Sequence, residues 1–258
     1  MPLRPSEQSG GGPAIAVENL AKQFGDIRAV NGISFTVPHG SMTGLLGGNG
    51  AGKTTTIAIL LGLVVPTAGT VRVLGVDIAT DRFRALPWMN FSSPYVNLPR
   101  RLSVRENLVV YGHLYGVADM DSRIAELARD LDLEHLMARP VGTLSAGQAT
   151  RVALAKALIN NPHVLLLDEP TASLDPDTAD WMRGYLDSYR RRSGASVLLA
   201  SHNMTEVERL CDNALIMKNG RIEASGAPAE LIARYGRQTL EEVFLAIARS
   251  DAAERVSP

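Results

Sequence analysis

The segment Gly47-Gly48-Asn49-Gly50-Ala51-Gly52-Lys53-Thr54 constrains this chain more than any other. It fits G-x-x-x-x-G-K-[ST], a glycine-rich loop whose backbone amides cradle the phosphates of a nucleotide. The motif requires a strand before it and a helix after it. Met42–Leu46 supplies a short apolar strand, and Thr55–Leu61 a helical pattern. Glycine lets the backbone approach an anion with no Cβ in the way. The amides that open the following helix add a favourable dipole. Lys53 is expected to reach the terminal phosphates, and the Thr54 hydroxyl to ligate Mg²⁺. The loop predicts binding of a nucleoside triphosphate.

The rest of the chain reads as α/β. Val164–Leu167 is an uninterrupted apolar run, as inside a sheet covered on both faces. Ala14–Leu20, Gly32–Val37, Thr70–Leu74 and Ser196–Ala200 also read as strands. Periodicity predicts helices over Glu106–Tyr115, Ser122–Leu131, Ala149–Leu158, Asp177–Arg191 and Met204–Cys211, with Asp121 capping the second. Lys218-Asn219-Gly220 predicts a hairpin turn, since Asn and Gly both tolerate positive φ. Strands alternating with helices indicate an α/β core. The middle third, about Ala85–Asn160, is mostly helical and reads as a lobe inserted in that core. Residues 1–13 read as a flexible leader and 250–258 as a tail.

Composition narrows the function. A net charge of −1 opposes a large interaction with nucleic-acid phosphates. Arg190-Arg191-Arg192 ends a helical pattern, where cations complement the helix dipole. The single cysteine, Cys211, excludes an internal disulfide and reads as a small core residue. No apolar run approaches the ~18 residues of a membrane span.

A second chemical group follows the apolar run. Asp168 sits where an acid at a strand end holds Mg²⁺. Glu169 is placed to orient or deprotonate an attacking water. Leu144–Gln148 precedes a helix, and its small residues suit an N-cap and an anion site equally. Ser201-His202 follows the strand Ser196–Ala200, where one histidine is ordinarily structural. His39, His113, His135 and His163 have no motif around them.

The ordered set of Gly47–Thr54, Leu144–Gln148, Leu165–Pro170, Ser173-Leu174-Asp175 and Ser201-His202 resembles the nucleotide-binding subunit of ATP-binding cassette (ABC) transporters. The resemblance runs from about Ile15 to Ile247. It implies a P-loop NTPase (RecA-like) core with an antiparallel β subdomain and an inserted helical subdomain, in one ABC ATPase domain over 14–249. It implies that Phe24 stacks on adenine, and that Gly47, Asn49, Gly50, Ala51, Gly52, Lys53, Thr54 and Thr55 hold the phosphates. By the same resemblance Thr54 and Asp168 take Mg²⁺, Glu169 serves as base, and His202 senses the γ-phosphate. Ser145, Gly147 and Gln148 would contact ATP held by a second copy, and Asp175 would couple the two sites. The implied assembly is a homodimer with two ATPs sandwiched head to tail, on the inner face of the cell membrane through a separate permease. Thr239–Leu245 resembles the C-terminal end of ATPase subunits from ABC-2 type exporters; it also reads as an amphipathic helix covering the core.

Two positions depart from the family pattern. Ala146 stands where glycine is usual. Pro94 stands where a glutamine usually contacts Mg²⁺ and water, and no glutamine occurs between Gln23 and Gln148. The loop around it is expected to dock the permease, through Tyr95 and Leu98 as apolar contacts and Arg100 and Arg101 as charged ones. Two other readings compete: a soluble ABC ATPase on ribosomes or DNA, and a regulatory subunit that hydrolyses ATP weakly. One cassette with no coiled-coil or zinc insert opposes the first. Glu169 and His202 oppose the second, and the missing glutamine favours it.

Overall fold

A computed structural model of the protein describes residues 12–93, 98–172 and 174–254. Most of the expected leader, Pro94, Tyr95, Ser173 and the end of the expected tail lie outside the described residues. The elements, in order, are β1 (Ile15–Phe24), β2 (Ile27–Val37), β3 (Met42–Leu46), α1 (Lys53–Leu60), β4 (Ala68–Val73), β5 (Val76–Asp77), α2 (Ile78–Ala85) and β6 (Met89–Ser92). They continue with α3 (Val104–Leu114), α4 (Met120–Asp130), α5 (Ala146–Leu158), β7 (Val164–Asp168), α6 (Pro176–Ser193) and β8 (Ser196–Ser201). The last are α7 (Met204–Leu210), β9 (Asn213–Lys218), β10 (Arg221–Gly226), α8 (Pro228–Arg234) and α9 (Leu240–Glu254). They group into two compact units, one of residues up to Ala85 with those from Ser196 onward, the other Leu86–Ala195.

In the first unit β2, β1, β4 and β5 form an antiparallel sheet in that order. Strands β1 and β2 run well past the expected limits and meet at Phe24↔Ile27. The sequence there is polar, but main-chain pairing is indifferent to side-chain polarity once a bulge resets the register. Asn19, at φ 49, makes that bulge, and its amide donates to Ser34 Oγ at 2.8 Å. A second set of strands runs β10-β9-β3-β8, with β3 parallel to both neighbours. All five residues of β3 are buried. Helix α7 lies directly on this strand, because a Cβ on Gly44 would come within 2.5 Å of Val207 Cγ1. Cys211 is buried there, as expected of a small core residue. The turn after Lys218 has Asn219 at φ 49 and Gly220 at φ 74, and β9 and β10 pair across it as expected.

The second unit joins α3–α6 to a parallel pair, β6 and β7. Strand β6 has no clear signature, since polar Asn90 is its second residue. Asn90 is 1% exposed, yet its polar groups are satisfied. Its Nδ2 donates to Asn160 Oδ1 at 2.8 Å, and its Oδ1 accepts from the Phe91 amide at 2.8 Å. Lys156 Nζ, on α5, donates to Phe91 O at 2.9 Å and to Asn90 Oδ1 at 3.3 Å. Helix α4 starts earlier than expected, and Asp119, not Asp121, accepts from the Ser122 amide. An N-cap carboxylate must lie one residue before the helix to reach the third amide. Asp121, inside the first turn, pairs with Arg105 instead, at 2.6 Å.

Burial pushes the Lys156 ammonium down to about 8 from 10.5. A base with a lowered folded pKa contributes stability that is complete above its unfolded pKa and is lost as pH falls through the folded one. Between pH 8 and 10.5 this residue should make stability rise with pH, by at most roughly 3 kcal/mol. Lys156→Met should flatten that rise in urea melts across the window. The same slope in parent and variant would exclude Lys156 as its source.

Candidate nucleotide site

The first unit carries the glycine-rich loop between β3 and α1, as the motif requires. Lys53 is only 7% exposed and folds back over the loop, donating to Gly47 O at 2.6 Å and Gly48 O at 3.3 Å. Gly50 and Gly52 lie at φ 77 and 107, where side chains are strained. Space is short as well. A Cβ on Gly52 would lie 2.4 Å from Ala29 O, and one on Gly47 would lie 2.7 Å from Met217 O. Ala51 is buried, while Gly48, Asn49, Gly50 and Thr54 are exposed and Thr55 is half-buried. The loop therefore presents an accessible rim on a closely packed back.

Two further candidates belong to this unit. Phe24 ends β1 at 48% exposure, with the Lys22 ammonium 4.7 Å from its ring centroid. His202 is exposed between β8 and α7. Its neighbours are fixed: the Asn203 amide donates to Ser201 Oγ at 3.0 Å, and Ser201 Oγ donates to Glu206 at 2.9 Å. Asn203 in turn caps α7 by accepting from the Glu206 amide.

The second unit carries the acidic pair. Strand β7 is buried throughout, and Asp168 at its end is 3% exposed. Glu169 follows in the left-handed region at φ 54. A non-glycine residue held there costs ~1–3 kcal/mol, and such residues cluster at functional sites. The backbone leaves the strand sharply at this carboxylate.

The segment Leu144–Gln148 is both a cap and a candidate contact. Ser145 accepts from the Gln148 amide at 3.3 Å, and Gln148 Oε1 accepts from the Ser145 amide at 3.1 Å, a reciprocal capping box. Helix α5 thus begins at Ala146, three residues before the expected start. Gly147 has no steric need to be glycine within this chain: a Cβ would meet Thr178 at an ordinary 3.5 Å. Thr178 also holds Asp175, which caps α6 by accepting from its amide at 3.0 Å and its hydroxyl at 2.7 Å. The Thr178 amide, then its hydroxyl, hold the Asp175 carboxyl below the usual range. The fold therefore brings Gly147 and Asp175 together through one threonine.

Arg151 was not legible as part of this group. Its guanidinium lies 4.2 Å from the Trp181 ring centroid and 3.0 Å from Asp132. It clamps the helix opened by Ser145 against the helix opened by Asp175. No local pattern signals it, because both partners are distant in sequence. Leu98, expected as a surface contact, is buried at 7% exposure. Exposed apolar side chains in this unit include Val110 at 45% and Leu114 at 74%, both on α3. Pro94, at the position of the family's glutamine, lies outside the described residues.

Gly52→Ala is the sharpest test of the loop. It requires a clash with a backbone oxygen at a positive φ, so nucleotide affinity should fall at least about tenfold, as strain at special φ/ψ positions commonly costs. Calorimetric titration with ATP measures it. Unchanged affinity would show that the loop's shape does not determine binding.

The chain matches the ABC transporter family over residues 30–172. The Nod factor export ATP-binding protein I of Burkholderia lata is 42% identical over 220 residues, which is 84% of this chain and 72% of the relative. The protein of that name from Ralstonia nicotianae is 40% identical over 230 residues, 88% of this chain and 71% of its own. Among solved structures, cbiO1 from Clostridium perfringens, part of the ABC transporter complex cbiONQ, has a TM-score of 0.77 at 29% identity. It aligns with 87% of this chain over 92% of its own.

Proposed function

Because the chain belongs to the ABC transporter family as an ATP-binding, ATP-hydrolysing subunit, we propose that it powers export through a separate membrane permease. The observation that carries the nucleotide chemistry is the glycine-rich loop, with Lys53 folded over it and no room behind Gly47 and Gly52. Binding of ATP draws Lys53 off the Gly47 and Gly48 carbonyls onto the phosphates. Phe24 stacks on the adenine.

The Thr54 hydroxyl and the Asp168 carboxylate are each hard oxygen donors of the kind that would hold Mg²⁺. Bound there, the ion would supply neutralisation of phosphate charge. Glu169 accepts a proton from the attacking water, and His202 senses the γ-phosphate. Ser145, Gly147 and Gln148 meet the nucleotide of a second copy. The absence of any steric demand for glycine at position 147 supports that reading, since close approach of a ligand is a remaining reason for it. Asp175 couples the two sites of the homodimer.

Export is supported by the relatives' Nod factor export role and by Thr239–Leu245, which enters α9. No helix among the described residues is long and apolar enough to cross a membrane. In this proposal the permease is another chain that holds the subunit at the inner membrane face. Residues of about 85–160 form its docking lobe, with Val110 and Leu114 as apolar contacts and Arg100 and Arg101 as charged ones.

Glu169→Gln should keep ATP binding and lose about 10²–10⁴-fold in turnover. It should also accumulate an ATP-dependent dimer, seen as a doubled mass by light scattering. Lys53→Ala should lose binding itself. Parental turnover in either variant would remove that residue from its role, and a Glu169→Gln monomer saturated with ATP would exclude the sandwich.

A further inference from the structure

The glycine-rich loop does not stand alone within its unit. The turn between β9 and β10 braces its back. Gly220 N donates to Ala51 O at 3.1 Å, and Asn31 N donates to Gly220 O at 2.8 Å. Met217 is the residue a Cβ on Gly47 would strike, and its Cε is 2.7 Å from where a Cβ on Gly52 would lie. Gly47 and the left-handed Gly52 are therefore set against Met217, and Ala51 between them against the turn that follows.

That turn is itself held from the other side. Lys218, the last residue of β9, donates through Nζ to Ile247 O at 2.7 Å and to Ala248 O at 3.1 Å, both on α9. Charge-assisted bonds of this kind are among the stronger hydrogen bonds in proteins. Helix α9 is firmly seated upstream. Leu240 and Val243 are fully buried, and the Leu240 amide donates to Glu208 at 2.9 Å. A cavity of about 180 Å³ separates the helix from the loop, lined by Gly48–Ala51, the β9 end, Phe244, Ile247 and Ala248. Loop and helix thus meet across a gap that Lys218 spans by a polar link and Phe244 borders.

From this geometry we infer that Lys218 is a positioning residue for nucleotide binding. It ties α9 to the turn that shapes the glycine-rich loop, so ATP affinity depends on how α9 is seated. The C-terminal helix then does more than cover the core. Displacing it loosens Lys218, lets the turn shift, and relaxes the contacts that hold Gly47 and Gly52 in phosphate-binding form. The inference rests on the reading of Gly47–Thr54 as the ATP site.

The test compares Lys218→Met, Lys218→Arg, Phe244→Ala and Leu245→Ala in the full chain. ATP affinity is measured by calorimetry, and kcat and KM by steady-state ATPase assay. Lys218→Met and Phe244→Ala should raise Kd and KM about 3- to 10-fold, the range typical of residues that modulate a site without touching the ligand. Their kcat at saturating ATP should stay within about twofold, since neither residue meets the reacting atoms. Lys218→Arg should restore parental affinity. Leu245→Ala, on the exposed face, should change nothing. If Lys218→Met does not fold, Phe244→Ala decides alone. Parental Kd in a folded Lys218→Met, even with a lowered Tm, would overturn the inference. So would parental Kd in Phe244→Ala where that variant decides, or a fall in kcat at unchanged Kd. Lys53→Ala keeps the two readings apart: parental ATP binding in that variant sinks the site itself, whereas its loss beside an unaffected Lys218→Met sinks only the role of Lys218.

Discussion

The back of the glycine-rich loop is pressed against other backbone, and much of the first unit is arranged around that contact. Gly47 faces the Met217 carbonyl and Gly52 faces the Ala29 carbonyl, each too close to admit a Cβ. Packed interiors are not continuously deformable, so contacts of this kind fix a loop in one shape. Strand β3 delivers the loop from a fully buried position between β8 and β9. The β9–β10 turn then closes over Ala51. The shape of the loop is thereby set by contacts within the chain.

The second unit achieves its order differently, through helix caps. Ser145 and Gln148 satisfy one another's backbone amides at the start of α5, and Asp175 accepts from the Thr178 amide and hydroxyl at the start of α6. Ser145 and Gln148 were expected to contact ATP on a second copy, and Asp175 to couple the two sites. A capping role does not compete with that proposal. A serine or aspartate whose rotamer is locked by a cap is held in one orientation, as a recognition group needs to be. Arg151 adds rigidity by stacking on Trp181 while paired with Asp132. Glu169 carries the strain in this arrangement, with its left-handed backbone at the end of a buried strand.

A buried polar network stabilises the second unit around β6. Asn90, Lys156 and Asn160 join β6, α5 and the segment after it. Networks of this type specify one arrangement when every member is satisfied, because an unpaired buried group is costly. The penalty appears in Lys156, whose burial lowers its pKa toward physiological values.

Much of this was legible in the sequence, for a definite reason. Strand β3, strand β7 and the helices with a clear apolar stripe follow from local periodicity, and the glycine-rich loop, the acidic pair and the hairpin at Asn219-Gly220 follow from backbone rules that act over a few residues. Other features were not legible. Strand β6 depends on a polar residue that is tolerable inside only because Asn160 and Lys156, some seventy residues away, satisfy it. The polar ends of β1 and β2 pair because a bulge at Asn19 restores their register. Arg151 and Lys218 gain their places from partners on other segments of the fold. The sequence by itself determined which local conformations and which chemical groups this protein has. Tertiary structure alone decided which polar groups could be buried and which side chains brace the loop, since those depend on hydrogen bonds between residues that only the fold brings within about 3 Å of each other.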